Sequence, residues 1–222
     1  NMHEPTEGTF DFEGNLDIGR FLQIAQDLGL YAIVRPSPFI CSEWEFGGLP
    51  TWLLEEDMRI RSSDPAYLAA VASYYDELMP RLVPHLLENG GNILMMQVEN
   101  EYGYYGDDTN YLKFIADLMR ELKITVPFVT SDGPWFKNVF KAGQLEGVLP
   151  TGNFGSACQW QFSNMKKMMP ENLPLMNMEF WAGWFDAWGN KKKSSSKLII
   201  NKLDYDYVIK NGHNINIYMF HG

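Results

Sequence analysis

Cysteine is scarce: Cys41 and Cys158 are the only two in 222 residues. Two thiols so far apart supply neither a disulfide scaffold nor a zinc site. Basic residues are outnumbered, 18 against 28 acidic, which leaves a formal net charge of −10. Without a basic surplus to neutralise phosphates, nucleic acid is not expected as a partner. No apolar run approaches the roughly 20 residues that span a bilayer, so no membrane partner is expected either. A Gly-rich phosphate turn after an early strand is missing, which removes the usual mark of a nucleotide-binding sheet. His213 and His221 offer no ligand spacing. No metal and no cofactor are expected.

What the chain does have is apolar content, 45% of its residues, enough for a large core organised as one domain over residues 1–222. Aromatic residues reach 14%, with seven tryptophans, several of them crowded into "EFWAGWFDAWG" at 179–189. Clustered tryptophan usually packs a core, but beside carboxylates it suits a sugar, whose apolar face stacks on an indole while its hydroxyls need charged acceptors.

Element types alternate along the chain. "NLDIGRFLQIAQDLG" (15–29) sets Ile18, Phe21, Leu22, Ala25 and Leu28 at helical spacing, with Asn15 as N-cap and Gly29 past the end. "LYAIVRP" follows as a short apolar strand. "SDPAYLAAVASYYDELMPRLVPHLLENGG" (63–91) opens a helix with Asp64 before Pro65 and stops at Gly90 and Gly91, while Pro80 and Pro84 are expected to kink or divide it. The strand "NILMMQV", the helix "TNYLKFIADLMRELK" and the strand "VPFVT" come next. "VLPTGN" and "PLMNMEF" read as strands joined by irregular chain. "KLIINKLDYDYVIKNG" reads as a helix capped by a serine and closed by Gly212, after a solvated loop holding Lys191, Lys192, Lys193 and three serines; "NINIYMF" is the last strand. Six strands are thus expected, beginning near Tyr31, Ile93, Val126, Val148, Leu175 and Asn216.

Continuous apolar strands separated by helices indicate an α/β protein with a parallel sheet covered on both faces. Two architectures compete, an open doubly wound sheet and a (β/α)8 TIM barrel. In the barrel, polar residues gather at the C-terminal ends of many strands. Arg35, Asn100, Glu101, Asp132, Asn153 and Glu179 all follow that rule, which favours the barrel.

The stretch "QVENEYG" (97–103) sets two carboxylates and two amides directly after the apolar "NILMM". Buried carboxylates there must be paired or used. Glu101 and Glu179 are separated by 179 − 101 = 78 residues, an interval holding three βα steps. Across a barrel mouth, that offset lets two carboxyls approach to about 5–5.5 Å, the separation used by retaining glycosidases. On an ideal strand Glu99 and Glu101 point the same way, so periodicity leaves open which of them is the acid.

These residues now spell a recognisable set. "RPSPFICSEWEFGGLPTWL" (35–53), "LMMQVENEYGYYG" (94–106), "FVTSDG" (128–133), "MNMEFWAGWFDAWG" (176–189) and "YMFHG" (218–222) closely resemble the catalytic domain of the β-galactosidases of glycoside hydrolase family 35. The likeness runs over nearly the whole chain in the family's order. It implies a retaining, exo-acting hydrolase on a TIM barrel, acting on a β-galactoside or galactose-terminated oligosaccharide. Residue by residue, it implies Glu101 as general acid/base, Glu179 as nucleophile and Asn100 as partner of the sugar 2-hydroxyl. Cys41, Ser42 and Glu43 fall where the family binds galactose hydroxyls, and Trp181 where many relatives carry an aromatic that frames the sugar.

The same likeness selects Glu101 over Glu99, which is then a structural acceptor, and prefers Glu43 to Glu45 as the sugar's main acceptor. Trp44 and Trp184 are read as packing residues and His3 as structural. Asp132 is read either as lining the pocket or as capping a loop. By the family's pattern the barrel is expected to be incomplete here, without its first strand, most of its second and the end of its eighth. Another sugar preference within the same clan and a non-catalytic sugar-binding relic are the alternatives.

Overall fold

A computed structural model describes residues 1–36, 38–181, 183–192 and 198–219. The expectations for Lys193, the three serines, the serine cap and His221 lie outside these residues. Among the described residues six parallel strands form: β1 (Ala32–Val34), β2 (Ile93–Gln97), β3 (Phe128–Asp132), β4 (Leu149–Asn153), β5 (Met176–Trp181) and β6 (Asn214–Tyr218). Their order in the sheet follows their order in the chain. Helices α1 (Ile18–Asp27), α2 (Pro65–Leu82), α3 (Thr109–Glu121), α4 (Lys137–Ala142), α5 (Cys158–Met168) and α6 (Leu198–Lys210) alternate with them. All six strand starts lie within two residues of the sequence expectation.

The helix ends explain themselves chemically, with some differences from expectation. α1 is capped by Asp17, whose carboxylate accepts the N–H of Arg20 at 2.8 Å, and not by Asn15. The aspartate satisfies one of the orphan N–H groups of the first turn. Of the apolar stripe expected on α1 only Leu22 is buried, while Phe21 and Leu28 are exposed. Asp64 caps α2 as expected, accepting from Ala66 N–H at 2.9 Å ahead of Pro65. α2 carries Pro80 within it and ends at Leu82, where a 3-10 turn holding Pro84 takes over. Pro84 therefore divides the segment and Pro80 does not. Gly90 then adopts a left-handed conformation (φ 87°), which a glycine accepts without strain.

α5 replaces chain that the sequence reading left irregular. Its first residue follows Ala157, itself left-handed and without a local side-chain cap. The cap comes from Asp204 on α6, whose carboxylate accepts Ala157 N–H at 3.2 Å and Cys158 N–H at 2.8 Å.

The chain divides into two compact units. The first comprises residues 1–100, 106–130 and 145–149, the second 101–105, 131–144 and 150–222. In the first, Tyr67, Tyr75, Leu78, Met79 and Leu82 of α2, together with Tyr111, Leu112, Ile115 and Met119 of α3, are buried with Ile93 and Met96 of β2. In the second, Phe154 meets Phe162 of α5 edge-on at 5.1 Å, and Phe180 of β5 lies 5.3 Å from Tyr205 of α6. Removing these large apolar side chains from water stabilises each unit.

Candidate active site

β2 ends at Gln97, so the expectation that Glu99 and Glu101 share one strand face does not hold. Both adopt left-handed conformations, φ 59° and 47°. The backbone turns sharply there and gives the two carboxylates different surroundings. Non-glycine residues in this region carry a conformational penalty that the surrounding structure must offset.

Glu99 lies in the first unit and is fully buried. Its two oxygens accept from Arg61 Nε at 2.8 Å and Nη2 at 2.7 Å, from the Tyr111 hydroxyl at 2.9 Å and from Asn100 N–H at 2.6 Å. Arg61 is itself buried, stacks over the Phe39 ring at 3.8 Å and also donates to the Asn100 carbonyl at 2.8 Å. Burial acts against the guanidinium's charge, yet the charge and hydrogen bonds of Glu99 overcome it and raise its pKa above the ordinary value. Such a set of partners anchors the turn. The side-chain oxygen of Asn100 accepts from Gln97 Nε2 at 3.1 Å, which orients the amide; its buried Nδ2 has no acceptor among the described residues.

Cys41, Ser42 and Glu43 also belong to the first unit. All three are left-handed, with φ of 61°, 56° and 48°, and the turn closes through Trp44 N–H to the Cys41 carbonyl at 3.1 Å. Three successive non-glycine residues in this region is a strained arrangement. Trp44, read as a packing residue, is half-exposed and donates from Nε1 to Asn1 Oδ1 at 3.0 Å. His3 Nδ1–H donates to the Asp11 carbonyl at 2.9 Å and the ring stacks on Phe12 at 4.6 Å, a structural setting. A cavity of about 360 Å³ in this unit is bounded by Met2, Ile40, Leu49, Trp52 and Tyr74, among others. Ser42 reaches it, but its walls are largely apolar and include neither Glu101 nor Glu179.

Glu101 and Glu179 both lie in the second unit, as do Trp181, Asn153, Ser131 and Asp132. Glu101 N–H donates to the Ser131 carbonyl at 2.9 Å, which docks the turn at the C-terminal end of β3. Its Oε1 accepts from Asn153 Nδ2 at 3.1 Å. Asn153, fully buried at the end of β4, is in turn held by a short bond from the Ser131 hydroxyl to its Oδ1. Asn153 is the register partner of Glu179 on β5, and Phe154 N–H donates to the Glu179 carbonyl at 3.0 Å. Register partners on neighbouring strands stand side by side, about 4.8 Å apart, on one face of the sheet. Glu101 is thus bonded to the immediate neighbour of Glu179.

Glu179 is nearly buried, and its Oε2 accepts from Trp181 Nε1 at 3.2 Å. Asp132 accepts Gly103 N–H at 2.8 Å and packs against Gly143, so of its two readings the loop cap describes it. Trp184, read as packing, is 59% exposed. Asn153 and Ser131 were missed as site residues; Asn153 was visible only as one of several polar strand ends. No group of residues able to hold a metal occurs among the described residues, and no described helix is long and apolar enough to cross a membrane.

Comparison with known proteins follows the same lines. Residues 1–222 match the model of glycosyl hydrolases family 35. The chain is 42% identical to the beta-galactosidases of Pongo abelii and Homo sapiens and 40% identical to the human beta-galactosidase-1-like protein 2. All of this chain is covered in these alignments, but it spans only about a third of those relatives' length, 33% to 35%. Among solved structures, endo-glycoceramidase II from Rhodococcus sp. superposes with a TM-score of 0.61 at 8% identity, over 98% of this chain and 62% of that one. A Thermobacillus composti GH10 xylanase gives 0.57 at 12% identity, over 96% and 70%. At such identities the likeness concerns the fold alone, which is that of an incomplete (β/α)8 barrel.

Proposed function

Because the chain belongs to family 35 of the glycosyl hydrolases, we propose that it carries the catalytic machinery of a retaining glycosidase that releases terminal, non-reducing β-D-galactose from β-galactosides. A Glu179 oxygen attacks the anomeric carbon, the bond from that carbon to the glycosidic oxygen breaks, and the Glu101 proton passes to the departing oxygen. Glu101, now ionised, takes a proton from water, whose oxygen attacks the same carbon and displaces Glu179.

The observation that carries this reading is the Asn153 amide, bonded to Glu101 and in register with Glu179. The Trp181 N–H on Glu179 Oε2 supports a nucleophile held in one orientation. The unaccompanied Asn100 Nδ2 is a donor that a sugar 2-hydroxyl would satisfy. Cys41, Ser42 and Glu43 are proposed contacts to the galactose hydroxyls, a role in keeping with their strained turn.

The test is turnover of a chromogenic β-galactoside, with the first-formed anomer followed by proton NMR. β-Galactose is expected first, and E179Q is expected to abolish turnover. An inverted first product, or E179Q with unaltered turnover, would remove the assignment.

A further inference from the structure

A buried polar chain in the second unit ends on Glu101. The Ser131 hydroxyl bonds Asn153 Oδ1, and Asn153 Nδ2 donates to Glu101 Oε1 at 3.1 Å. Ser131 stands near the end of β3 and Asn153 at the end of β4, 2% and 0% exposed. A buried amide and hydroxyl cost free energy that their hydrogen bonds must offset, and here those bonds lead to the carboxylate. Ser131 holds the same glutamate a second way, since its carbonyl accepts the Glu101 N–H at 2.9 Å. One serine thus fixes the main chain of Glu101 directly and its side chain through Asn153.

The two ends of the amide are not interchangeable. With Ser131 donating to Oδ1, the hydrogens on Nδ2 are what Asn153 offers Glu101. A carboxyl that accepts an N–H at Oε1 carries its own proton on Oε2. A donor also bonds a carboxylate about twice as strongly as a neutral carboxyl, so this one favours the ionised state.

We propose that Asn153, oriented by Ser131, is a positioning residue for the acid/base: it directs Glu101 Oε2 at the glycosidic oxygen and steadies the carboxylate that later activates water. The inference rests on the glycosidase reading above. In the first step the Oε2–H bond breaks and the proton passes to the departing oxygen; in the second, Oε2 takes a proton from water. Neighbouring elements of the unit bring other ionisable groups: Glu179 of β5, Asp132 of β3, Tyr104 and Tyr105 of the turn after Glu101, and the exposed Lys137 and Lys141 of α4. Burial, and then the charges of Glu101 and Asp132, raise the Tyr104 pKa, so its hydroxyl stays neutral. Attack needs an ionised Glu179, which sets the acidic limb of the pH profile, while the alkaline limb reports loss of the Glu101 proton.

The experiment measures kcat/KM against pH for the full chain and for N153L, S131A and S131T on two β-galactosides. The leaving oxygen of the 4-methoxyphenyl galactoside needs a proton, whereas that of the 2,4-dinitrophenyl galactoside departs as the phenolate. In N153L the methoxyphenyl-to-dinitrophenyl ratio is expected to fall about tenfold, and the alkaline limb to move up by about one pH unit, because the ionised state has lost its donor. S131A is expected to move both readouts the same way by less, and S131T, which keeps the hydroxyl, to restore them. Dinitrophenyl turnover also reports folding; if N153L shows none, S131A decides by the same two readouts. A ratio at the wild-type value, or an alkaline limb that stays in place or moves down, would overturn the positioning role while sparing the glycosidase reading. A wild-type chain that releases neither phenol overturns both.

Discussion

Replacing Glu99 by Gln tests whether the two glutamates of "ENE" divide their labour as proposed, Glu99 as anchor and Glu101 as acid. Glu99 accepts four hydrogen bonds, two of them from the buried Arg61. A glutamine of the same shape keeps one acceptor oxygen and turns the other into a donor, aimed at groups that are themselves donors. It also leaves the Arg61 charge without its partner in a site only 6% exposed. Breaking one side of a buried ion pair costs about 3–5 kcal/mol. At roughly 2–4 °C per kcal/mol for a chain of this length, E99Q should melt about 6–20 °C lower than wild type, read by far-UV circular dichroism. Removing both charges is far milder than removing one, so the double variant R61M/E99L should regain much of that loss. E101Q, whose side chain is half-buried, should melt within about 2 °C of wild type yet lose turnover of a chromogenic β-galactoside. If E99Q melts with wild type, or E101Q proves as unstable as E99Q, the division between anchor and acid is wrong.

Three further outcomes follow from the same geometry. Asn100→Ala removes a buried donor that has no acceptor among the described residues, and with it the oxygen that accepts from Gln97 Nε2, whose other bond to the Glu99 carbonyl remains; its stability should fall by only about 1 kcal/mol while kcat falls about 10- to 100-fold, as expected for loss of the proposed bond to the 2-hydroxyl. Gly143→Ala would bring a Cβ to 1.7 Å from Asp132 Oδ2; the displaced carboxylate would release Gly103 N–H, and a loss of about 1–3 kcal/mol is expected in denaturant titration. Burial alone would raise the pKa of Asp108, but hydrogen bonds from Ser63 and from the first turn of α3 outweigh it and hold the carboxyl below its ordinary 3.8. A depressed pKa contributes stability above the unfolded value that is lost as pH falls through the folded one. Wild type should therefore lose stability below about pH 4 more steeply than D108N, read as melting temperature against pH.

Much of the fold was legible because the residues that define it act locally. Apolar runs such as Ile93–Gln97 end at polar residues, Asp64 and Pro65 announce α2, and Gly90 and Gly212 adopt the left-handed conformation that closes their turns. α5 escaped notice because its cap is Asp204, 46 residues downstream of Cys158. The stripe on α1 was misjudged for a related reason: spacing identifies a face, but only packing decides whether that face is covered, and Phe21 and Leu28 remain exposed.

The candidate site divides in the same way. The amino-acid sequence alone determined that carboxylates and amides stand at the ends of apolar strands, and that Glu101 and Glu179 belong to a recognisable set, because residue type and order are properties of the chain. Tertiary structure alone decided which carboxylate is tied to Arg61 and which is bonded to Asn153, because left-handed turns at Glu99 and Glu101 override the two-residue alternation of a strand. Partners for a side chain come from whichever strands and helices pack beside it, and sequence separation carries no record of that.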